Sequence, residues 1–370
     1  MHFTSLANHI ERLEAKLGRI GFAIALAIVL MIIAAIYVRP AIRTVAMGNS
    51  YAALSSDPLG HDNNPVGYRI LTPLISYLMG LRGQFIIITN LFFATVLLVL
   101  SYCYYRSLEF EPFDAILGTS ILTFSLVTMT TIYYGGYCDS LTYIIVFLMY
   151  WCRTRPLVVS FLLLLGLLNR ESIIMLMPWY LYIALLESGN KKKTLVLYGV
   201  GIAAVLSVYW GYREWVSSLK EVYFDMDYYF DPLKTDLLKY FKKSFGYQAL
   251  GLFTVFKAFW FLVLVTVFYW WKTRQWHQLI SIAILVGVTW LQMLIAWDSS
   301  RMMTLCFPIM IISVTYLKQT NCLDFRSWAW YLVVSNFFVP QLYTSGNIIE
   351  KMHSTIAKLA AMILLKDVNW

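Results

Sequence analysis

Charge is what this sequence is short of. Only 13% of its residues are Asp, Glu, Lys or Arg, against roughly 25% in soluble domains, too few to cover a water-facing surface on 370 residues. Acidic residues are the scarcer sign, 20 against 29 basic. The basic excess flanks apolar runs, where it meets anionic headgroups, so nucleic acid is not a partner this charge calls for. Cysteine is sparse too: Cys103, Cys138, Cys152, Cys306 and Cys322 include no CxxC pair, which argues against a disulfide framework or a zinc site. Internal repeats and low-complexity tracts are lacking. The apolar run near the N-terminus has no clean small-residue cleavage site and does not read as a cleavable signal.

What fills the space is apolar. Hydrophobic residues make up 60% of the chain, and mean hydropathy is +0.66. Stretches of about 20 mostly apolar residues, the length that crosses a bilayer as a helix, recur from end to end. Backbone groups in hydrocarbon must bond within their own segment, so the expected fold is an all-α integral membrane protein. The spans read as 20–38, 84–104, 113–132, 139–152, 157–169, 172–187, 194–211, 249–271, 278–296, 302–317 and 328–344, about eleven crossings. An amphipathic segment with Glu11, Arg12, Glu14 and Lys16 precedes the first span. Residues 1–345 form one polytopic domain on this reading, and 346–370 a short tail with an amphipathic helix at 348–365. Tryptophans such as Trp151, Trp210, Trp271 and Trp328 sit at segment ends, as in an interfacial belt.

Lys and Arg in the short loops set the orientation. Arg106, then Arg153 and Arg155, then Lys191 to Lys193, then Lys272 and Arg274, then Lys318 and Arg326 alternate with loops that hold little basic charge. The N-terminus is therefore expected inside. Two long outer segments result, 39–83 and 212–248. In the first, 41–55 and the stretch from Tyr68 to Leu81 read as interfacial helices around a polar turn.

On this topology Asp57, His61, Asp62, Arg69, Asp139, Arg170, Glu171, Asp298 and Arg301 all fall at the outer ends of spans. Each has a local explanation: Asp57 before Pro58 suits a turn, Asp139 suits a helix N-cap, and Asp298 and Arg301 suit an i,i+3 pair. Their shared side is the stronger signal, because charge at membrane depth is costly and marks function. Arginines grip phosphate as bidentate forks, and a carboxylate takes a proton from a hydroxyl. Together at an outer leaflet they fit a reaction on a lipid phosphate.

The chain resembles the GT-C glycosyltransferases, polytopic enzymes that use polyprenyl-phosphate sugars, in a poorly characterised bacterial branch. The likeness rests on the acidic first outer loop and on Pro65-Val66-Gly67-Tyr68-Arg69-Ile70-Leu71-Thr72-Pro73. It rests further on Tyr134-Gly135-Gly136-Tyr137-Cys138-Asp139-Ser140-Leu141, Asn169-Arg170-Glu171 and Trp297-Asp298-Ser299-Ser300-Arg301. The resemblance implies inverting transfer of a sugar to a glycan, lipid or protein acceptor at the outer face, with Asp57 or Asp62 as general base. Arg69, Arg170 and Arg301 would hold the donor phosphate; Tyr68, His61, Asp139, Glu171 and Asp298 would orient them or bind the sugar. Two departures stand out. No acidic residue lies near Met47-Gly48-Asn49-Ser50-Tyr51, and the family's large soluble C-terminal domain has no counterpart in these residues. No cofactor is required, and a divalent metal beside paired carboxylates stays open. The lipid partners, lack of a signal and compact loops point to a bacterial inner membrane. A polysaccharide polymerase or ligase, or a lipid or solute transporter, are the alternatives.

Overall fold

A computed structural model describes residues 2–60, 66–219, 245–295, 298–345 and 348–352. Helix α1, His2–Tyr37, breaks at Gly18, whose φ of 71° suits a residue without a side chain. The break separates the charged lead-in from the apolar run, as the sequence suggests. Beyond it α1 has two faces. Ile20, Ile24, Ile28, Ile32 and Ile36 are exposed at helical i,i+4 spacing, while Ala23, Ala27 and Ala34 are buried. Small residues on the packed face allow close approach to α4 and α5, and the isoleucine stripe suits lipid.

Two short helices follow, α2 (Met47–Ser56) and α3 (Leu71–Leu78), in the segment expected to be interfacial. Then come α4 (Ile86–Ser107), α5 (Pro112–Thr123), α6 (Leu126–Tyr133), α7 (Asp139–Trp151) and α8 (Pro156–Asn169). A 3-10 turn, Glu171–Leu176, leads into α9, Met177–Glu187. The long α10 spans Lys191–Leu219. Helix α11 covers 245–256 and is joined by a 3-10 turn to α12 (Trp260–Lys272), before α13 (Trp276–Ile295), α14 (Ser299–Thr304), α15 (Pro308–Thr320) and α16 (Phe325–Phe338). The last described element is an antiparallel hairpin, β1 (Leu342–Ser345) with β2 (Ile348–Lys351), in which Tyr343 faces Glu350.

This is an integral membrane protein built mostly of helices. Six helices are long and apolar enough to cross a bilayer, or seven if the bent pair α5 and α6 counts as one. The expected eleven crossings are not reached on length. Helices α7 and α8 are apolar but have 13 and 14 residues, about 20 Å at about 1.5 Å per residue, against a hydrocarbon core of about 30 Å. The expected span 172–187 begins as a 3-10 turn, because Arg170 is extended (φ −162°, ψ 116°) and ends α8. The expected span 328–344 is also corrected. Pro340 pushes the residue before it out of the helical region; Val339 is extended at ψ 122°, and the chain turns into β1. The hairpin is thus a departure from the all-α expectation. It also replaces the start of the tail helix expected at 348–365, of which 353–365 lie outside the described residues.

Two spans are irregular midway: α5 and α6 meet at 53°, and a 3-10 turn at Lys257–Phe259, with Lys257 at φ 49°, interrupts the run from 245 to 272. One side chain serves both breaks. Asn336 of α16 donates Nδ2 to Phe124 O at 2.8 Å and accepts from Ala258 N at 3.2 Å. Lys257 donates Nζ to Asn336 O at 3.1 Å and Val339 O at 3.4 Å, and so caps the C-terminal carbonyls of α16. Irregular backbone inside a span survives only when protein satisfies it, and these bonds do so.

Candidate functional site

Where α1, α6 and α8 end and α4, α7 and α14 begin, the loops meet. Asn169, the last residue of α8, pins them. Its Nδ2 donates to Cys138 O and Thr142 Oγ1, both at 2.8 Å, and its Oδ1 accepts from Thr72 Oγ1 at 2.7 Å. This draws the start of α3, the start of α7 and the end of α8 to one place. The extended Arg170 then points its guanidinium at the first residue of α7, Asp139.

Asp139 is the centre, 3% exposed. Its Oδ1 accepts from Arg170 Nη1 and from Arg301 Nη2 at 3.1 Å, and its Oδ2 from Arg301 Nε at 2.6 Å. Arg301 is thus held bidentately, and both arginines are buried. Burying three charges is costly, and this pairing is what offsets it. On its far side Arg301 donates Nη1 to Asp298 Oδ2 at 2.9 Å, and Asp298 also caps α14 through Arg301 N. The Tyr343 hydroxyl of β1 donates to the same carboxylate, and Arg301 lies 4.0 Å from the Tyr137 ring centroid. Beside this cluster Arg69 donates Nε to Glu171 Oε2 at 2.7 Å and Nη1 to Tyr51 Oη at 3.1 Å. Burial opposes the charge on Arg69, but Glu171 and the Tyr51 hydroxyl outweigh it and hold its pKa well above the ordinary value. Burial and the Asp298 carboxylate push the Tyr343 phenol well up, so it stays a donor.

These groups border a cavity of about 940 Å³. Arg39, Arg43, Arg69, Arg170 and Arg301 line it, against Asp298 and Glu350 as the lining carboxylates among the described residues. Asp139 and Glu171 hold their arginines without lining the cavity themselves, so the surface offered to a ligand is basic. A guanidinium has more N–H donors than Asp139 and Asp298 take up, which leaves some for an anion. Tyr133, Tyr134, Tyr137 and Tyr343 form one wall, and Ile42, Val45 and Met47 an apolar lip. Ala46, also on the lip, has φ 48°, a conformation costing an alanine about 1–3 kcal/mol, and such strain gathers at ligand sites.

Of the residues singled out in the sequence, Arg69, Arg170, Asp298 and Arg301 line the cavity, and Asp139 and Glu171 back it. Tyr68 is elsewhere: its hydroxyl is 2.7 Å from Ser217 Oγ and Arg213 stacks 4.3 Å from its ring. Asp57 is exposed at the end of α2 and is not among the lining residues. His61 and Asp62 lie outside the described residues. Sequence reasoning passed over Arg39, Arg43, Tyr134, Tyr343 and Glu350. Tyr134 stood inside a motif already noted; Glu350, which accepts from the Tyr134 hydroxyl 216 positions away, had no local signal. Among the described residues no three His, Cys, Asp or Glu side chains gather as a metal-binding group.

Fold and site together define a helical integral membrane protein with an arginine-lined cavity at one end of its bundle. Comparison with protein-family models, with characterised proteins and with solved structures finds no match for the chain.

Proposed function

We propose that this chain is a membrane glycosyltransferase of the GT-C type, which moves a sugar from a polyprenyl-phosphate carrier to an acceptor hydroxyl. The observation that carries the reading is the basic cavity, whose Arg69, Arg170 and Arg301 are held in fixed orientation by paired carboxylates. Such preorganised donors favour an oxygen that gains negative charge as a bond breaks. In the reaction the acceptor oxygen attacks the anomeric carbon, and the bond from that carbon to the phosphate oxygen breaks. Configuration inverts, and the leaving polyprenyl phosphate takes up the charge against Arg170, Arg301 and Arg69. The acceptor proton passes to a carboxylate. An aspartate of the first long loop fills that role in this reading; Asp57 stands exposed off the cavity lining and would have to move to reach it, Asp62 is the other candidate, and Asp57→Asn and Asp62→Asn test the choice by turnover.

The apolar lip at Ile42 and Val45 supports a ligand whose tail stays in lipid. The site belongs on the outer face of a bacterial inner membrane, with the N-terminus in the cytoplasm. The test uses purified protein in lipid nanodiscs with undecaprenyl phosphate. Binding is expected in the wild type and a loss of tenfold or more in the double variant Arg170→Gln, Arg301→Gln, since each charge-assisted bond contributes about 1.5–3 kcal/mol. Absence of binding, or equal binding by the double variant, sinks the proposal.

A further inference from the structure

We infer that the hairpin wall of the cavity, Glu350 with Tyr134 and Tyr343, is a subsite for a neutral, hydroxyl-rich ring, the sugar of the donor. This rests on the reading of the cavity as a polyprenyl-phosphate site and deepens it. The wall is built from two distant parts of the chain. In the hairpin Tyr343 and Glu350 face each other across the strands. The Tyr134 ring packs on Tyr343 with centroids 4.7 Å apart and on Tyr137 at 5.1 Å, and its hydroxyl donates to Glu350 Oε2. The rings are held from several sides, so they form a fixed surface with little entropy left to lose on binding.

Glu350 differs from the other cavity carboxylate. Asp298 is taken up by Arg301, by a backbone N–H and by Tyr343. Glu350 is half-buried and holds one neutral phenol through Oε2; its Oε1 has no hydrogen-bond partner among the described residues. A carboxylate with a vacant oxygen accepts strongly from hydroxyl donors. Tyr134, Tyr137 and Tyr343 are buried against one another, and Tyr133, the more exposed of the four lining tyrosines, offers its ring to the C–H side of a pyranose or furanose, whose hydroxyls project from the edge. These are the two surfaces of a sugar. A cation is disfavoured in the same cavity, because Arg39, Arg43, Arg69, Arg170 and Arg301 line it against Asp298 and Glu350 among the described residues. The arginine floor would grip the phosphate, and the wall would grip the ring attached to it.

The test compares binding of bare undecaprenyl phosphate with a panel of undecaprenyl-phosphate sugars, in nanodiscs, for the wild type, Glu350→Ala, Glu350→Gln and Tyr134→Phe. The wild type is expected to prefer at least one sugar-bearing lipid over the bare one by about tenfold or more, the worth of one charge-assisted bond. Glu350→Ala should erase that preference while its affinity for the bare lipid stays within about twofold, which also reports that it has folded. Glu350→Gln carries the comparison if the alanine variant does not bind the bare lipid, and Tyr134→Phe should cut the preference less. A wild type that binds bare lipid with no sugar preference, or a Glu350 variant that keeps it, overturns the inference and leaves the phosphate site standing. A wild type that binds no lipid at all removes the underlying reading, and this one with it.

Discussion

Asp139 carries two neighbours' charges. It faces two guanidiniums from inside the protein, so Asp139→Asn would leave Arg170 and Arg301 buried without their shared anion. Removing one partner of a buried ion cluster costs about 3–5 kcal/mol. A clear fall in thermal stability in detergent is expected, and wild-type stability in that variant would mean that water already reaches the cluster. Arg301→Lys asks a different question, since it keeps the charge and loses the fork that spans both Asp139 oxygens. Weaker binding of undecaprenyl phosphate by about tenfold is the expected result, measured in nanodiscs. At this scale much of the site was legible in the sequence. Asp139, Arg170, Glu171, Asp298 and Arg301 are rare charges in apolar surroundings, and loop charge alone predicts that they share one end of the spans. Tyr343 and Glu350 were not legible, because their place depends on a strand register that no periodicity announces.

The elements meet through small residues and through one amide. Gly48 at the start of α2 lies against Gly136 in the loop before α7, and a Cβ on Gly136 would sit 2.9 Å from Gly48 Cα. Gly136→Ala must therefore move α2 or the loop, and α2 carries the Tyr51 that bonds Arg69. A destabilisation of about 1–3 kcal/mol is expected, read as a lowered melting temperature; an unchanged one would show that the two backbones separate freely. Asn336→Leu leaves Phe124 O and Ala258 N without their partner at two helix breaks. About 1–3 kcal/mol for each unsatisfied group should follow in the same assay. Helix existence was readable along most of the chain, since apolar length alone marks it. The breaks were not. The bend between α5 and α6 contains no proline, and Lys257 has φ 49° in the middle of an apolar run, held by side chains that only tertiary structure brings near.

The whole molecule separates its charges between two ends. At the end opposite the cavity, Arg106 pairs with Glu14 at 3.0 Å, Arg153 with Glu187 at 2.8 Å, and Arg326 with Asp114 at 2.9 Å. Lys318 also reaches Asp114. Loop charge gives the expectation that this end lies in the cytoplasm, which labelling checks. In a background without the five cysteines, Ser345→Cys should react with a membrane-impermeant maleimide added to intact cells. Lys192→Cys should react only after permeabilisation. The reverse pattern would place the cavity inside and exclude an outer-face reaction.

The order of synthesis gives the hairpin a further meaning. Ribosomes deliver α1 to α16 before β1 and β2, so the arginine floor inserts and packs while one wall of the cavity is still unmade. Until residues 342–351 emerge, Tyr134 has neither Tyr343 nor Glu350 to hold it. A nascent chain of this protein therefore has its membrane helices and its arginine cluster before it has the wall that faces them.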